Sequence, residues 1–156
     1  MDIQTISLIV TVILAFAGYI VTYANNLRLT RRKERLDLIN KRIDDFYGPL
    51  YVCSQVGYMA WRALLDKNKR EGLFFDEDKP PSKKQLQEWR IWVENVFMPL
   101  NVFRENLILE NAYLIREKNM PECLLRYITH VSSYKAMIKK WDAGDFSEYI
   151  PMIEFR

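Results

Sequence analysis

The feature that most constrains this 156-residue chain is a stretch without charge: from Ile3 to Asn26 there is not one charged side chain. All 23 Lys and Arg come after it, as do all the acidic residues except Asp2. As a helix these 24 residues would extend roughly 36 Å, against about 30 Å of bilayer hydrocarbon. A helix buried in a soluble core rarely stays uncharged for so long. A secretory signal has a basic start, a shorter apolar core and a small-x-small cleavage site. Here the start is Met1-Asp2 and the apolar part is long. The pattern therefore predicts an uncleaved transmembrane anchor over 1–26, followed by a second region over 27–156. Whole-chain composition conceals this division. At 49% hydrophobic and 28% charged it describes an ordinary soluble domain. It excludes a collagen-like chain, a disordered chain and a multi-span transporter. The average mixes an uncharged span with a remainder holding 23 basic and 19 acidic side chains.

Charge also predicts orientation. Arg28, Arg31, Arg32, Lys33 and Arg35, then Lys41 and Arg42, fall within 16 residues after Asn26, opposed only by Glu34 and Asp37. Positive residues stay on the cytoplasmic side, which puts the N-terminus outside and the remainder in the cytoplasm. The same five leading cations would face anionic lipid at the membrane surface. Tyr19 and Tyr23 suit an interfacial position. In reducing cytosol Cys53 and Cys123 are expected as thiols, and neither has the spacing of a metal ligand. Along the span, Gln4, Thr11, Gly18 and Asn25 recur every seven residues, with Ser7, Ala15 and Thr22 on neighbouring positions. This makes one small, partly polar stripe on an otherwise bulky apolar helix. Small residues let helix backbones approach, and polar groups avoid lipid by facing protein or water. The expectation is an oligomer-forming or pore-lining face; the alternative is a lone anchor that tolerates a few hydroxyls.

Beyond the span, helical spacing dominates and no segment alternates with period two over strand length. Leu36, Ile39, Ile43, Phe46, Leu50, Cys53, Gly57, Ala60 and Leu64 step by three and four straight through Gly48-Pro49. An unchanged phase across a proline predicts a kink or a very short break. Residues 71–81, with an acidic cluster and Pro80-Pro81, read as a loop. Ser82-Lys83-Lys84-Gln85 reads as a capping box. It opens a kinked helix to about Lys118 whose apolar face is Leu86, Trp89, Val93, Val96, Leu100, Phe103 and Leu107. Pro121 opens a last helix with Leu124, Ile128, Val131, Ile138 and Trp141 on one side, ended by Asp142-Ala143-Gly144-Asp145. The fold class expected is all-α: one transmembrane helix continuing into a cytosolic bundle of long kinked helices. Four Trp, nine Tyr and eight Phe exceed what so small a core requires, so contacts between protomers are expected. The tail is expected to pack on a neighbour through Phe146, Tyr149 and Phe155.

For chemistry the chain offers little. There is one histidine, His130, and no glycine-rich phosphate loop or nucleophile elbow. This excludes zinc triads and di-iron bundles and argues against nucleotide-fuelled and acyl-transfer enzymes; no cofactor is expected. What remains is Arg126-Tyr127-Ile128-Thr129-His130, which sets Arg126 and His130 on one helix face with Ser133 a turn further. An arginine can hold phosphate charge while a histidine moves protons, as RNA cleavage needs. The plainer reading is a solvated polar face.

A span, a basic segment after it, the break Phe46-Tyr47-Gly48-Pro49-Leu50-Tyr51 and the late Arg126…His130 pair together resemble the small membrane accessory proteins of type VI-B CRISPR systems. The resemblance covers the whole chain in architecture and a few residues in motif. It implies a divergent HEPN-like helical domain on a span in the bacterial inner membrane. It also implies a pore-like homo-oligomer that weakens the membrane barrier when an RNA-guided CRISPR nuclease detects infection. Three residues separate Arg126 from His130, fewer than HEPN nucleases place there, and no Asn follows Arg126. Three readings result: a non-enzymatic membrane effector, a membrane-tethered ribonuclease acting on RNA through Arg126 and His130, and a scaffold that recruits a cytosolic partner. DNA enters none of them.

Overall fold

The computed structural model describes residues 2–150. The chain is 79% helical and has no strand among those residues. The elements in order are α1 (Ile3–Arg42), a π-helical turn (Ile43–Tyr47), α2 (Gly48–Lys67), α3 (Lys83–Trp92), a second π-helical turn (Val93–Phe97), α4 (Met98–Glu110), a 3-10 turn (Ala112–Leu114) and α5 (Glu122–Asp142). The chain divides into two units after Lys41.

The first unit is α1. Its Ile, Val, Leu and Ala residues form a regular helix, and not one residue of it is buried. It supplies the apolar window, of mean hydropathy 2.2, in the helical run Ile3–Lys67. By length and composition this is the one described helix able to cross a membrane. Exposure continues well beyond Asn26, through the basic segment to Lys41. Leu36, Ile39 and Ile43, expected to begin the core stripe of the bundle, are therefore exposed, and packing starts at Phe46, 1% exposed.

The second unit is a helical bundle in which α2 packs on α4 and α4 on α5. Its larger apolar cluster joins Leu64 and Leu65 of α2, Phe74 of the loop, Trp89 of α3, and Val131 and Met137 of α5, with others around them. A smaller cluster holds Phe46, Ile108 and Leu114. Tyr127 packs against both. The capping box forms as expected: Gln85 N donates to Ser82 Oγ at 3.3 Å and Ser82 N to Gln85 Oε1 at 3.0 Å.

Both internal prolines are handled by the same device. A proline has no N–H, and its ring collides with the carbonyl four residues earlier. In each case a π-turn ends two residues before the proline. Gly48 N–H bonds the Ile43 carbonyl and Met98 N–H the Val93 carbonyl, each five residues back. One extra residue enters the turn, and the proline follows as the second residue of the next helix. At the first turn a Cβ on Gly48 would lie 2.7 Å from the Ile43 oxygen, so glycine admits the closest approach there.

The extra residue has a consequence for which side is buried. It rotates everything downstream by about 100° relative to an unbroken α-helix. Of the expected face Val96, Leu100, Phe103 and Leu107, three are half-buried and Phe103 is 51% exposed, while the fully buried positions are Met98, Glu105 and Ile108. The sequence rhythm crosses Pro99 in phase, but the backbone does not. The helix also ends earlier than expected, at Glu110 rather than near Lys118. Asn111 donates through its backbone N and its Nδ2 to the Leu107 carbonyl, and the chain turns so that Leu114 enters the smaller cluster.

Two of the tail residues expected to pack on a neighbour, Phe146 and Tyr149, contact the helices of their own bundle. The Arg90 guanidinium stacks 3.8 Å from the Phe146 ring, and Tyr149 packs beside Trp141. Trp89 Nε1 donates to the Tyr149 carbonyl at 2.9 Å, and Trp141 Nε1 to that of Glu148 at 2.8 Å. Phe155 lies outside the described residues.

Candidate functional site

Three helices of the bundle each turn a row of residues spaced by three and four toward one cleft. From α2 come Ser54, Gly57 and Trp61; from α4, Met98, Asn101 and Arg104; from α5, His130 and Tyr134. Tyr58, Trp89, Val93 and Phe97 complete the lining of a space of about 260 Å³. A neighbouring cleft of about 450 Å³ is lined by Leu50, Cys123, Leu124 and Tyr127. Ser54, Asn101, Arg104 and His130 border both clefts. A polar group of four thus separates an aromatic space from an aliphatic one.

Arg104 is the charge at this junction. Its Nε donates to the Leu100 carbonyl at 3.4 Å, and its guanidinium lies 5.3 Å from the centre of the Tyr127 ring. Gly57 makes room for it: a Cβ at that position would sit 2.8 Å from Nη2. Tyr127 Oη donates to Asn101 Oδ1 at 3.0 Å. Burial pushes the Tyr127 phenol up to about 12 against the opposing pull of Arg104, so it remains a donor at neutral pH. Burial alone raises Tyr134 to about 12. His130 stacks edge-on against Tyr134 with ring centres 4.9 Å apart. Ser133 Oγ donates to the His130 carbonyl at 2.7 Å. Among the described residues no cluster of three His, Cys, Asp or Glu side chains is placed to hold a metal ion.

The pair singled out in the sequence separates here. His130 lines both clefts. Arg126 lines neither; it is exposed and grips Glu122 one turn earlier through Nε at 2.9 Å and Nη2 at 2.7 Å. The arginine that shares a cleft with His130 is Arg104, from a different helix. Sequence reasoning passed over Asn101 and Arg104, although their signal was present: two polar residues three apart in the otherwise apolar run Met98–Arg104.

The stripe Gln4, Ser7, Thr11, Ala15, Gly18, Thr22 and Asn25 is exposed along α1, as are Arg28, Arg31, Arg32, Lys33 and Arg35. Thr11 Oγ1 donates to the Ser7 carbonyl and Thr22 Oγ1 to that of Gly18, both at 2.9 Å. These hydroxyls are satisfied by their own helix, which lowers the cost of placing them in lipid. No atom lies within 4 Å of where a Gly18 side chain would begin, so the groove there is open.

Comparison of the chain with protein-family models, curated proteins and solved structures finds no match.

Proposed function

We propose that this chain is a single-span membrane protein that self-associates through α1 and carries its helical bundle on the cytoplasmic side. The observation that carries the reading is an apolar helix with a window of mean hydropathy 2.2 and no buried residue. So large an apolar surface is unfavourable in water, and a bilayer or neighbouring copies would cover it. The stripe from Gln4 to Asn25 supports association, because Gly18 opens a groove between bulky neighbours and the threonine hydroxyls need no partner in lipid. The basic segment from Arg28 to Arg35 supports a cytoplasmic bundle, and in a bacterium the inner membrane is its place.

Within that reading the assembly acts as a non-enzymatic effector of antiviral defence. Its α1 helices form a pore-like ring that perturbs the membrane. On the resemblance drawn from the sequence, its trigger is an RNA-guided CRISPR nuclease. The ribonuclease alternative gains nothing from the geometry, since Arg126 is held by Glu122 and lines neither of the clefts that His130 lines.

The test has two stages. Alkaline carbonate should leave the protein in the membrane pellet; its release into the soluble fraction would refute the span. Thr11→Leu with Gly18→Leu should then reduce both oligomer size in detergent and the loss of membrane potential on expression. If size and potential are both unchanged, the ring is wrong.

A further inference from the structure

We propose that the cleft among α2, α4 and α5 binds a small anion carrying a planar ring, its charged head on Arg104 and its ring against the aromatic wall that Trp61 and Phe97 form. The inference is independent of the membrane reading, because every residue involved belongs to the bundle.

Charge identifies the head group. Neither cleft bordering Arg104 has an Asp or Glu in its lining. Among the described residues Arg104 takes part in no ion pair; the carboxylate beside it in sequence, Glu105, is engaged by Lys135. Arg104 is nonetheless fixed. Nε is on the Leu100 carbonyl, the guanidinium carbon lies over the Tyr127 ring at 5.3 Å from its centre, and Nη2 fills the space left by the missing side chain of Gly57. That leaves Nη1 and Nη2 as an oriented fork with no protein acceptor, the geometry that takes a carboxylate or phosphate through two oxygens. Asn101 adds a third donor. Its Oδ1 already accepts from Tyr127 Oη, which leaves the Nδ2 half to donate. A half-buried cation with an additional amide donor and no counter-charge is a site for an anion.

The walls identify the rest of the ligand. Trp61 stands edge-on to Trp89 with ring centres 5.9 Å apart and lies 6.3 Å from Phe97. Such walls receive a planar ring by stacking or by edge contact. The space of about 260 Å³ suits one or two fused rings. The ring-bearing anion could carry its charge on a carboxylate or on a phosphate, and the two sources are separable by experiment.

The full chain in lipid nanodiscs would be titrated with indole-3-acetate and with adenosine and uridine monophosphates, following tryptophan fluorescence or heat. Acetate, inorganic phosphate, indole and adenosine serve as the separated parts. One of the ring-bearing anions should bind saturably, roughly tenfold or more tighter than its head or its ring alone. The class that does so names the head group. Arg104→Gln should weaken it about tenfold or more, with the melting of the bundle recorded alongside. If Arg104→Gln does not fold, Arg104→Lys decides, because it keeps the charge and removes the fork; several-fold weaker binding is expected. Absence of saturable binding by either class, or unchanged affinity in the folded Arg104 variant, would overturn the proposal.

Discussion

Arg70 is the residue on which the loop between α2 and α3 depends. Its side chain is buried, and its Nη1 donates to the carbonyls of Phe74 at 2.7 Å and Lys79 at 2.8 Å. Its Nη2 reaches Gln85 Oε1 at 3.2 Å, the same oxygen that accepts from Ser82 N in the capping box. One guanidinium therefore ties both arms of the loop to the start of α3 and seats Phe74 against Trp89, where the rings lie 5.3 Å apart. Arg70→Ala leaves two carbonyls without this partner and should destabilise the bundle by about 2–3 kcal/mol in urea unfolding. Tyr127 and Tyr134 give the second residue-scale prediction. Both phenols titrate higher folded than the ordinary value of 10, at about 12, chiefly because burial disfavours the phenolate. The unfolded chain then releases protons at lower pH than the folded one. Their contribution to stability is complete below pH 10 and declines as pH rises from about 10 through 12. Spectrophotometric titration should show a tyrosine component ionising near pH 12, and Tyr134→Phe should diminish it. A titration with no component near pH 12, or one that Tyr134→Phe leaves unchanged, would contradict this burial.

At the level of elements, the π-turns decide which residues enter the core. Deleting Glu94, an exposed residue of the second turn, would remove the inserted residue and the π-turn together, so α4 would keep its face and Met98 and Ile108 would stay buried, but the Pro99 ring would then meet the Asn95 carbonyl. The bundle should still unfold cooperatively in urea but lose about 3 kcal/mol, the cost of a proline inside an α-helix. Glu94→Ala keeps the residue count and should stay within about 0.5 kcal/mol of the parent. Equal stability of the two variants would show that the π-turn is not what accommodates Pro99. At the N-terminus of α3 the capping box predicts a smaller effect. Ser82→Ala removes the acceptor for Gln85 N and should cost about 1 kcal/mol. Gln85 was readable as the partner of Ser82 from their spacing, but its bond to Arg70 was not, because Arg70 reaches it across the loop.

For the whole molecule, the division after Lys41 predicts separable behaviour. A fragment from Arg42 onward contains both apolar clusters and should unfold cooperatively with a helical circular-dichroism spectrum, while the full chain should require detergent or lipid. Non-cooperative melting of the fragment would show that α1 is needed to complete the fold. The sequence by itself determined what depends on neighbours along the chain: the helical class, the uncharged helix from Ile3 and its stripe, the loop before Ser82 and the capping box. Charge, 3.6-residue periodicity and end signals act over one or two turns and are written locally. Tertiary structure decided what depends on residues distant in sequence. A period of three and four looks unbroken across Pro99, yet only the packed backbone shows the inserted residue that buries Ile108 more deeply than Leu107. His130 and Arg126 are neighbours on paper because they share a helix. Arg104 joins His130 at a cleft because α4 and α5 pack together and because Gly57 on α2 leaves space for a guanidinium. No local pattern encodes that meeting, since it is made by three helices at once.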